Sequence, residues 1–312
     1  MFIGLDQDGR TINLLERKGA RGGSYLCPAC QRKLVYKAGS EKRAHFAHYR
    51  RTDCVYFNEN ESEEHLELKA SFYRWAKESS QVEVEAYVES SQQIADLLLE
   101  KKLVLEVQCS SLSIERLRER NQLYRSAGLS TIWLLGHHLF LKEGLSKLQR
   151  EFLEFSPSLG FFLWQAHLKE ACLELIYFIH EDHKGQLYYK SKIFPFYAMD
   201  LWDCLRYPYS SRELVTMEVA QDPDFLSYLR KQLYYKNPRW MKKQEALYLK
   251  GKNLLSMTLE DFYPQVLPAA TSCQGGLSYR KDFYFYYKVS TPSSLQVLYS
   301  PFFYSLFRKG LH

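Results

Sequence analysis

The pattern of apolar and polar residues predicts helices and strands in alternation through the middle of the chain. In residues 62–79, apolar side chains recur at Leu68, Phe72, Trp75 and Ala76, which is the spacing of one face of an α-helix. Four strand-like runs and a further helix follow: a strand at 82–88, the two strands of a β-hairpin at 94–108, a helix at 113–127 and a buried strand at 130–136. This order predicts a mixed α/β core.

The flanking segments differ from this core in composition. Strand-like runs between residues 160 and 196 are candidates to extend the sheet, and the remaining chain is rich in aromatic residues and mostly helical, with an interrupted helical stretch at 223–250. We therefore expect an α/β (α+β) fold in three parts. These are a small N-terminal module (1–57), a core (58–150, its sheet extended to 196) and a mostly helical C-terminal domain (197–312).

Two carboxylates interrupt the apolar hairpin "IADLLLEKKLVLEVQ" (94–108). With a turn centred on Lys101, Asp96 and Glu106 face each other across the two strands, where like charges destabilise a sheet. The simplest resolution is a divalent cation, Mg²⁺ or Mn²⁺, between their oxygens. Without metal, replacing one acid should then relieve strain. The alternative is that the acids cap the sheet or pair with arginines.

Composition narrows the class of protein. The 312 residues are 46% hydrophobic, and no apolar run approaches the ~20 residues of a membrane span. The N-terminus has no readable secretory signal, and the seven cysteines are an odd number, so that we expect reduced thiols in a soluble, cytoplasmic protein without a membrane partner.

Basic residues are concentrated in two clusters. The segment from Arg10 to Arg51 contains eleven Lys and Arg residues but only two acidic residues. The segment from Arg230 to Lys252 contains eight Lys and Arg residues and one acidic residue, Glu245. Such clusters favour a polyanionic partner, because neutralised phosphates release their counterions. A solvated basic surface is the alternative for each cluster.

The N-terminal module contains a candidate zinc site. Cys27 and Cys30 form a CxxC pair, and His45, His48 and Cys54 follow, which gives five candidate ligands for a four-coordinate ion. A structural zinc would stabilise a segment with few large apolar residues. The preferred set is the two cysteines with both histidines, and the alternative set replaces one histidine by Cys54. Two reduced cysteines in a turn, with surface histidines, would need no metal.

The spacing Asp-x9-Glu-x-Gln at residues 96–108 resembles, with one change, the pattern of the PD-(D/E)XK nucleases. Together with "ESEEHLELK", "RERNQLY" and "IWLLG", and with "CPAC…HFAH" upstream, it is similar to the competence protein CoiA family over about residues 25–136. The resemblance implies a restriction-endonuclease-like core that acts on DNA during genetic transformation, where incoming single strands are recombined.

Carried over by position, the resemblance implies that Asp96 and Glu106 hold the catalytic metal, that Glu64 adds a carboxylate and that Gln108 occupies the lysine position. A glutamine amide can orient a water molecule but cannot take its proton. Metal activation of water can make up for this loss. Lys69 and Lys102 are candidates to replace the missing charge, and His65 beside Glu64 is a supporting residue.

Two sets of residues are candidates for DNA binding. Arg116, Arg120 and Tyr124 recur every four residues and form one ridge of a helix, for which a solvated basic face is the alternative. The second set, Arg239, Lys242 and Lys243, lies in the C-terminal basic cluster among tyrosines and tryptophan, a combination that holds single strands. Packing of these aromatic residues in a core is the alternative.

We therefore expect a metal-dependent DNA nuclease with a structural zinc, which hydrolyses phosphodiester bonds with metal-activated water during competence. Its expected partners are single-stranded or branched recombination intermediates and recombination proteins. The competing interpretation is a catalytically inactive DNA-binding or recombination adaptor that keeps the nuclease fold. Retention of all three acids favours the enzyme, and Gln108 favours the adaptor.

Overall fold

The chain forms two compact units in a computed structural model that describes residues 1–39, 43–49, 54, 61–269, 274–289 and 294–309. The first unit contains Met1–Glu154, Phe162–Tyr177 and Lys190–Ser210, and the second contains Phe155–Phe161, Phe178–Tyr189 and Ser211–His312. The predicted end of the N-terminal module at Phe57 lies outside the described residues.

A five-stranded sheet opens the first unit. Its strands are β1 (Ile3–Leu5), β2 (Thr11–Asn13), β3 (Tyr25–Leu26), β4 (Lys33–Lys37) and β5 (His45–His48), in the order β2-β1-β3-β4-β5. Its small core joins Tyr25, Leu34 and Phe46 to the buried cysteines Cys27 and Cys54. The cysteines are thus part of this core.

A second, mixed sheet carries the predicted hairpin. Its strands in chain order are β6 (Val82–Val88), β7 (Gln93–Leu99), β8 (Leu103–Gln108), β9 (Ser130–Leu135), β11 (Gly160–His167), β12 (Cys172–Asp182) and β13 (Leu187–Pro195). They lie in the order β13-β12-β11-β9-β8-β7-β6, with β8, β9 and β11 parallel and β6, β7 and β8 antiparallel. The predicted mixed sheet is confirmed.

Among the described residues of the first unit, the helices are α1 (Glu63–Lys77), α2 (Ile114–Ser126), α3 (Lys147–Glu151) and α4 (Leu201–Ser210). Serine hydroxyls cap the first two, since Ser62 accepts from the His65 N–H at 3.1 Å and Ser113 from the Arg116 N–H at 3.2 Å. The predicted apolar stripe of α1 is buried, and this helix packs on β6, β7 and β8.

The turn between β7 and β8 has the predicted position. Lys102 N–H donates to the Leu99 carbonyl at 2.9 Å, and the two central residues, Glu100 and Lys101, have φ of +48° and +52°. This is the left-handed geometry of a tight hairpin turn. It pairs Leu97 with Leu105, so that Asp96 and Glu106 come next at opposite positions.

The second unit contains helices and short strands. Its helices are α5 (Phe225–Tyr234), α6 (Pro238–Tyr248), α7 (Gln274–Val289) and α8 (Pro301–Lys309). Its short strands are β10 (Glu154–Ser156), which pairs with β11, β14 (Thr216–Ala220), which pairs with β16 (Leu295–Tyr299), and β15 (Val266–Pro268), which pairs with the end of β12. The interrupted helical stretch predicted at 223–250 corresponds to α5 and α6. Among the helices formed by described residues, none has both the length and the apolar character needed to cross a membrane.

Candidate metal centres and nuclease-like site

Four soft ligand atoms converge in the N-terminal sheet. Cys27, Cys30, His48 and Cys54 each place one ligand atom within 4.8 Å of the other three, and Cys30 Sγ lies 3.3 Å from His48 Nε2. Three thiols and one imidazole are a donor set that suits tetrahedral zinc. The cluster fits the alternative set predicted from the sequence, in which Cys54 replaces a histidine.

His45 is not part of this cluster, and the preferred ligand set was wrong in this respect. Both histidines lie on β5, where residues three apart point to opposite faces of the sheet. His45 Nδ1 instead lies 2.9 Å from the Arg43 carbonyl oxygen, and burial lowers the pKa of this histidine. The spacing of the two histidines suited a knuckle or a helix, but not the strand that they occupy.

Asp96 is held by polar groups of α1. Its Oδ1 lies 3.2 Å from His65 Nε2 and accepts from Lys69 Nζ at 3.4 Å, and its Oδ2 accepts from the Val107 N–H at 2.9 Å. Burial opposes ionisation of this carboxyl, but His65 and Lys69 more than offset it and hold the pKa of Asp96 well below its usual range. Asp96 is therefore an anion at neutral pH.

Lys69 joins three carboxylates in the interior. Its side chain is fully buried, and Nζ contacts Glu61, lies 2.8 Å from Glu85 and lies 3.4 Å from Asp96. Burial alone would lower the pKa of Lys69, but these carboxylates raise it well above the usual value. Lys69, one of the two predicted substitutes for the missing charge, thus lies beside the candidate catalytic acid.

Glu85 connects this buried ionic cluster to the N-terminal sheet. Its Oε2 accepts from the Phe2 N–H at 2.6 Å and from the Ile3 N–H at 3.0 Å. The residue has a φ of +51° and interrupts the pairing of β6 with β7 opposite Asp96. Such a conformation is rare for a residue with a side chain and occurs where surrounding contacts enforce it.

Glu106 is bound by the other helix. Its Oε1 accepts from Arg120 at 2.7 Å and from the Tyr124 hydroxyl at 2.5 Å, and only 1% of the residue is exposed. The two hairpin acids are therefore bound by side chains of different helices. Asp96 lies beside Lys69 of α1, and Glu106 lies beside Arg120 of α2. This arrangement corresponds to the alternative in which the acids pair with basic side chains. It also explains the ridge on α2, because Arg120 and Tyr124 point inward at Glu106.

The remaining predicted site residues lie at the ends of the parallel strands. Glu64 Oε1 accepts from the His137 N–H at 2.8 Å, just beyond β9, and Gln108 donates from Nε2 to the Ser110 carbonyl at 2.8 Å, just beyond β8. Arg116 pairs with Glu119 at 2.9 Å on the surface of α2. Glu64 and Gln108 thus lie beside the carboxyl ends of neighbouring strands, each with its own partner, whereas Arg116 lies apart from them.

Asp96 belongs to a group of side chains that could bind a divalent ion. Within the described ranges, Glu61, His65 and Asp96 place one ligand atom each within 4.8 Å of one another, whereas Glu64 and Glu106 belong to no such group of three. Two carboxylates and an imidazole suit Mn²⁺ or Mg²⁺. The chemistry of these three residues suits an ion at Asp96, but Lys69 Nζ and the Met1 ammonium group already contact Glu61, so an ion would compete with them.

Sequence reasoning missed Glu61 and Glu85. For Glu61 a signal was available, because Glu61, His65 and Lys69 recur every four residues and predict one polar stripe on the helix. Glu85 carries no such signal, since it alternates with apolar residues like any solvent-facing strand position, yet only 4% of it is exposed.

The C-terminal basic cluster is partly engaged within the second unit. Arg239 donates to the Lys184 carbonyl at 3.3 Å, and Lys243 lies 4.3 Å from the ring centre of Trp240, where burial lowers its pKa. Lys242 is exposed. The aromatic residues of this cluster differ in exposure, because Trp240 is buried whereas Tyr234 and Tyr235 are 80% and 68% exposed.

Two family models match this chain and identify the class of protein. Residues 61–208, which include the mixed sheet and both hairpin acids, match the nuclease-like domain of competence protein CoiA, and residues 8–57 match the N-terminal domain of the same protein. The two domains occur in this order and together account for well over half of the chain. The chain belongs to the CoiA family.

A curated relative agrees with this assignment. Competence protein CoiA of Bacillus subtilis (strain 168) is 29% identical over 178 residues, which are 56% of this chain and 45% of that protein. The matched segment thus spans a little under half the length of this relative. No solved structure matches.

Proposed function

We propose that this protein is a metal-dependent DNA nuclease that acts on recombination intermediates during competence. The observation that supports this most directly is the donor group of Glu61, His65 and Asp96, placed at the hairpin of a nuclease-like domain. A bound divalent ion would lower the pKa of a water molecule and stabilise the leaving oxygen. Asp96 would hold this ion with Glu61 and His65, and Glu106 would be the second acid of the hairpin.

The other residues have roles that follow from their positions. Lys69 Nζ, 3.4 Å from Asp96, supplies the positive charge that Gln108 lacks. Gln108 has an amide that can orient a water molecule or a phosphate oxygen. Arg120 and Tyr124 fix the Glu106 carboxylate by two hydrogen bonds. Zinc at Cys27, Cys30, His48 and Cys54 would have a structural role.

The test is cleavage of linear, nicked, branched and single-stranded DNA by the purified protein with Mg²⁺, Mn²⁺ or EDTA. We expect cleavage with a divalent ion and none in EDTA. Asp96→Asn and Glu106→Gln should reduce it by several orders of magnitude, whereas Asp8→Asn, the same change at an exposed acid, should not. If both hairpin variants cut DNA like the parent, the nuclease site lies elsewhere.

The non-catalytic adaptor is a second candidate, and one observation favours it. Lys69 and Arg120 already neutralise the two hairpin acids inside the protein, as expected for a fold that uses these pairs for stability. A parent protein that binds DNA tightly but cuts none of the four substrates with either metal would favour this function over the nuclease.

The second unit supports a role in holding single strands. Tyr234 and Tyr235 lie at the end of α5 among basic residues, and their exposed rings are available to bases. Stacking on such rings is worth about 1–3 kcal/mol per base. Replacing both by alanine should therefore weaken binding of single-stranded DNA, while Tyr284→Ala on α7 should not. Neutral residues at Arg239, Lys242 and Lys243 should in addition flatten the salt dependence of binding.

A further inference from the structure

A cavity of about 480 Å³ lies beyond the carboxyl ends of β8 and β9. Ser111, three residues after β8, and His138, three residues after β9, form part of its wall. The carboxyl ends of adjacent parallel strands meet at one edge of a sheet, and this edge is where open α/β sheets bind ligands. The volume is within the range of small-molecule sites.

Two hydrogen bonds place the cavity beside Gln108 and Glu64. Gln108 donates to the carbonyl of Ser110, the residue before Ser111. Glu64 accepts from the N–H of His137, the residue before His138. The wall of the cavity therefore begins one residue beyond the contacts that fix Glu64 and Gln108.

The lining has the character of a nucleotide site. None of the residues that line it is acidic, Lys142 is cationic, and Ser111 and His138 offer further polar groups. Phe140 and Leu148 supply an apolar wall. The Phe140 ring is fixed by neighbouring rings, with its centre 4.4 Å from that of His167 and 5.6 Å from that of His137. A cation for a phosphate and an aromatic surface for a base are the two groups with which single strands are bound.

We propose that this cavity binds the nucleotide next to the phosphodiester bond that is cut, with Lys142 on its phosphate and Phe140 against its base. The proposal rests on the proposed function for the identity of the ligand. According to this proposal, the loop between β9 and α3 determines which phosphodiester bond of the DNA strand is placed at Asp96.

The first test measures binding without cleavage. The probe is a short fluorescent oligothymidylate, followed by anisotropy in EDTA over a series of salt concentrations. Lys142→Ala should weaken binding several-fold and reduce the slope of log K against log salt by about 0.7, the value for one phosphate contact on a single strand. Lys169→Ala, an equal loss of charge in the turn between β11 and β12, should leave affinity and slope unchanged.

A second variant fills the cavity without removing a charge. Ser111 is exposed, so Ser111→Trp should leave the melting temperature unchanged while it weakens binding and moves the cut positions on an end-labelled strand. If Lys142→Ala and Ser111→Trp both bind and cut like the parent, the cavity proposal fails and the nuclease stands. If the parent cuts nothing but both variants lose affinity, the nuclease proposal fails and the cavity is a nucleotide-binding site without a cleavage role. A parent that binds no oligonucleotide overturns the cavity proposal, and the cleavage assay on the four DNA substrates decides on the nuclease separately.

Discussion

Lys69 is the cation on which three acidic side chains of the first unit converge. A buried ammonium group is costly unless carboxylates compensate its lost hydration, and here Glu61, Glu85 and Asp96 do so. The compensation is mutual, because Lys69, together with His65, lowers the pKa of Glu61 and of Asp96 against the effect of burial.

Replacing Lys69 by methionine should therefore destabilise the protein strongly. The change keeps most of the side-chain volume but leaves three carboxylates without their common cation, so the free energy of unfolding should fall by about 3–5 kcal/mol. Urea unfolding at neutral pH measures this. Lys77→Met, on the same helix but at the surface, is the control and should not shift the urea midpoint. Equal midpoints for the two variants would contradict the compensation described here.

The same cluster sets the response to acid. Glu61 and Asp96 have pKa values lowered by Lys69 and by His65, although burial opposes this. A carboxylate whose folded pKa lies below its unfolded value stabilises the protein above the unfolded value, about 4, and loses this effect as the pH falls through the folded pKa. Urea midpoints between about pH 3 and pH 7 should thus decline on the acid side. In Lys69→Met the pKa of Asp96 is less depressed, so a smaller part of its stability should depend on pH.

The β7–β8 hairpin reverses one expectation drawn from the sequence. The pattern predicts that two opposed acids repel each other, so that Asp96→Asn should relieve strain when metal is absent. In the structure Asp96 is bound by Lys69, which is fully buried, and Glu106 is bound by Arg120, whose side chain is 12% exposed. We therefore expect Asp96→Asn and Glu106→Gln each to lower stability in EDTA by about 1–3 kcal/mol, the effect of leaving a buried partner unsatisfied. Calorimetry in EDTA measures this change. An unchanged or raised melting temperature in both variants would instead support the predicted repulsion between the two acids.

Strand β5 gives the corresponding prediction for the N-terminal sheet. Since His48 and Cys54 lie in the cluster of four ligand atoms and His45 lies outside it, Cys54→Ser should lose zinc, whereas His45→Gln should retain about one ion per chain. Elemental analysis of protein purified without added metal measures both. A full zinc content after Cys54→Ser, together with loss of zinc after His45→Gln, would instead support the set preferred from the sequence, which consists of the two CxxC cysteines and both histidines.

Across the molecule, the sequence predicted what depends on local periodicity. The buried stripe of α1, the turn at Lys101 and the mixed sheet all follow from apolar spacing and turn geometry. The partners of the acids could not be read in this way. Glu85 and Lys69 meet through tertiary packing, and the side chain of Asp96 turns to α1 where the pairing of β6 with β7 is interrupted. The choice between His45 and Cys54 failed for a related reason, because it required knowing that residues 45–48 form a strand.

The contacts of Glu85 make the N-terminal sheet and the nuclease-like core a single thermodynamic system. His48 lies on β5, whose Phe46 N–H donates to the Met1 carbonyl at 2.6 Å, and the next two amides, of Phe2 and Ile3, donate to Glu85. Glu85 in turn shares Lys69 with Asp96. Linkage requires that if ordering β5 around an ion favours this arrangement of Glu85, the arrangement favours the ion by the same factor. Under that condition, the protonation of Asp96 and the affinity of the cysteine cluster for its ion would be reciprocal properties of one chain.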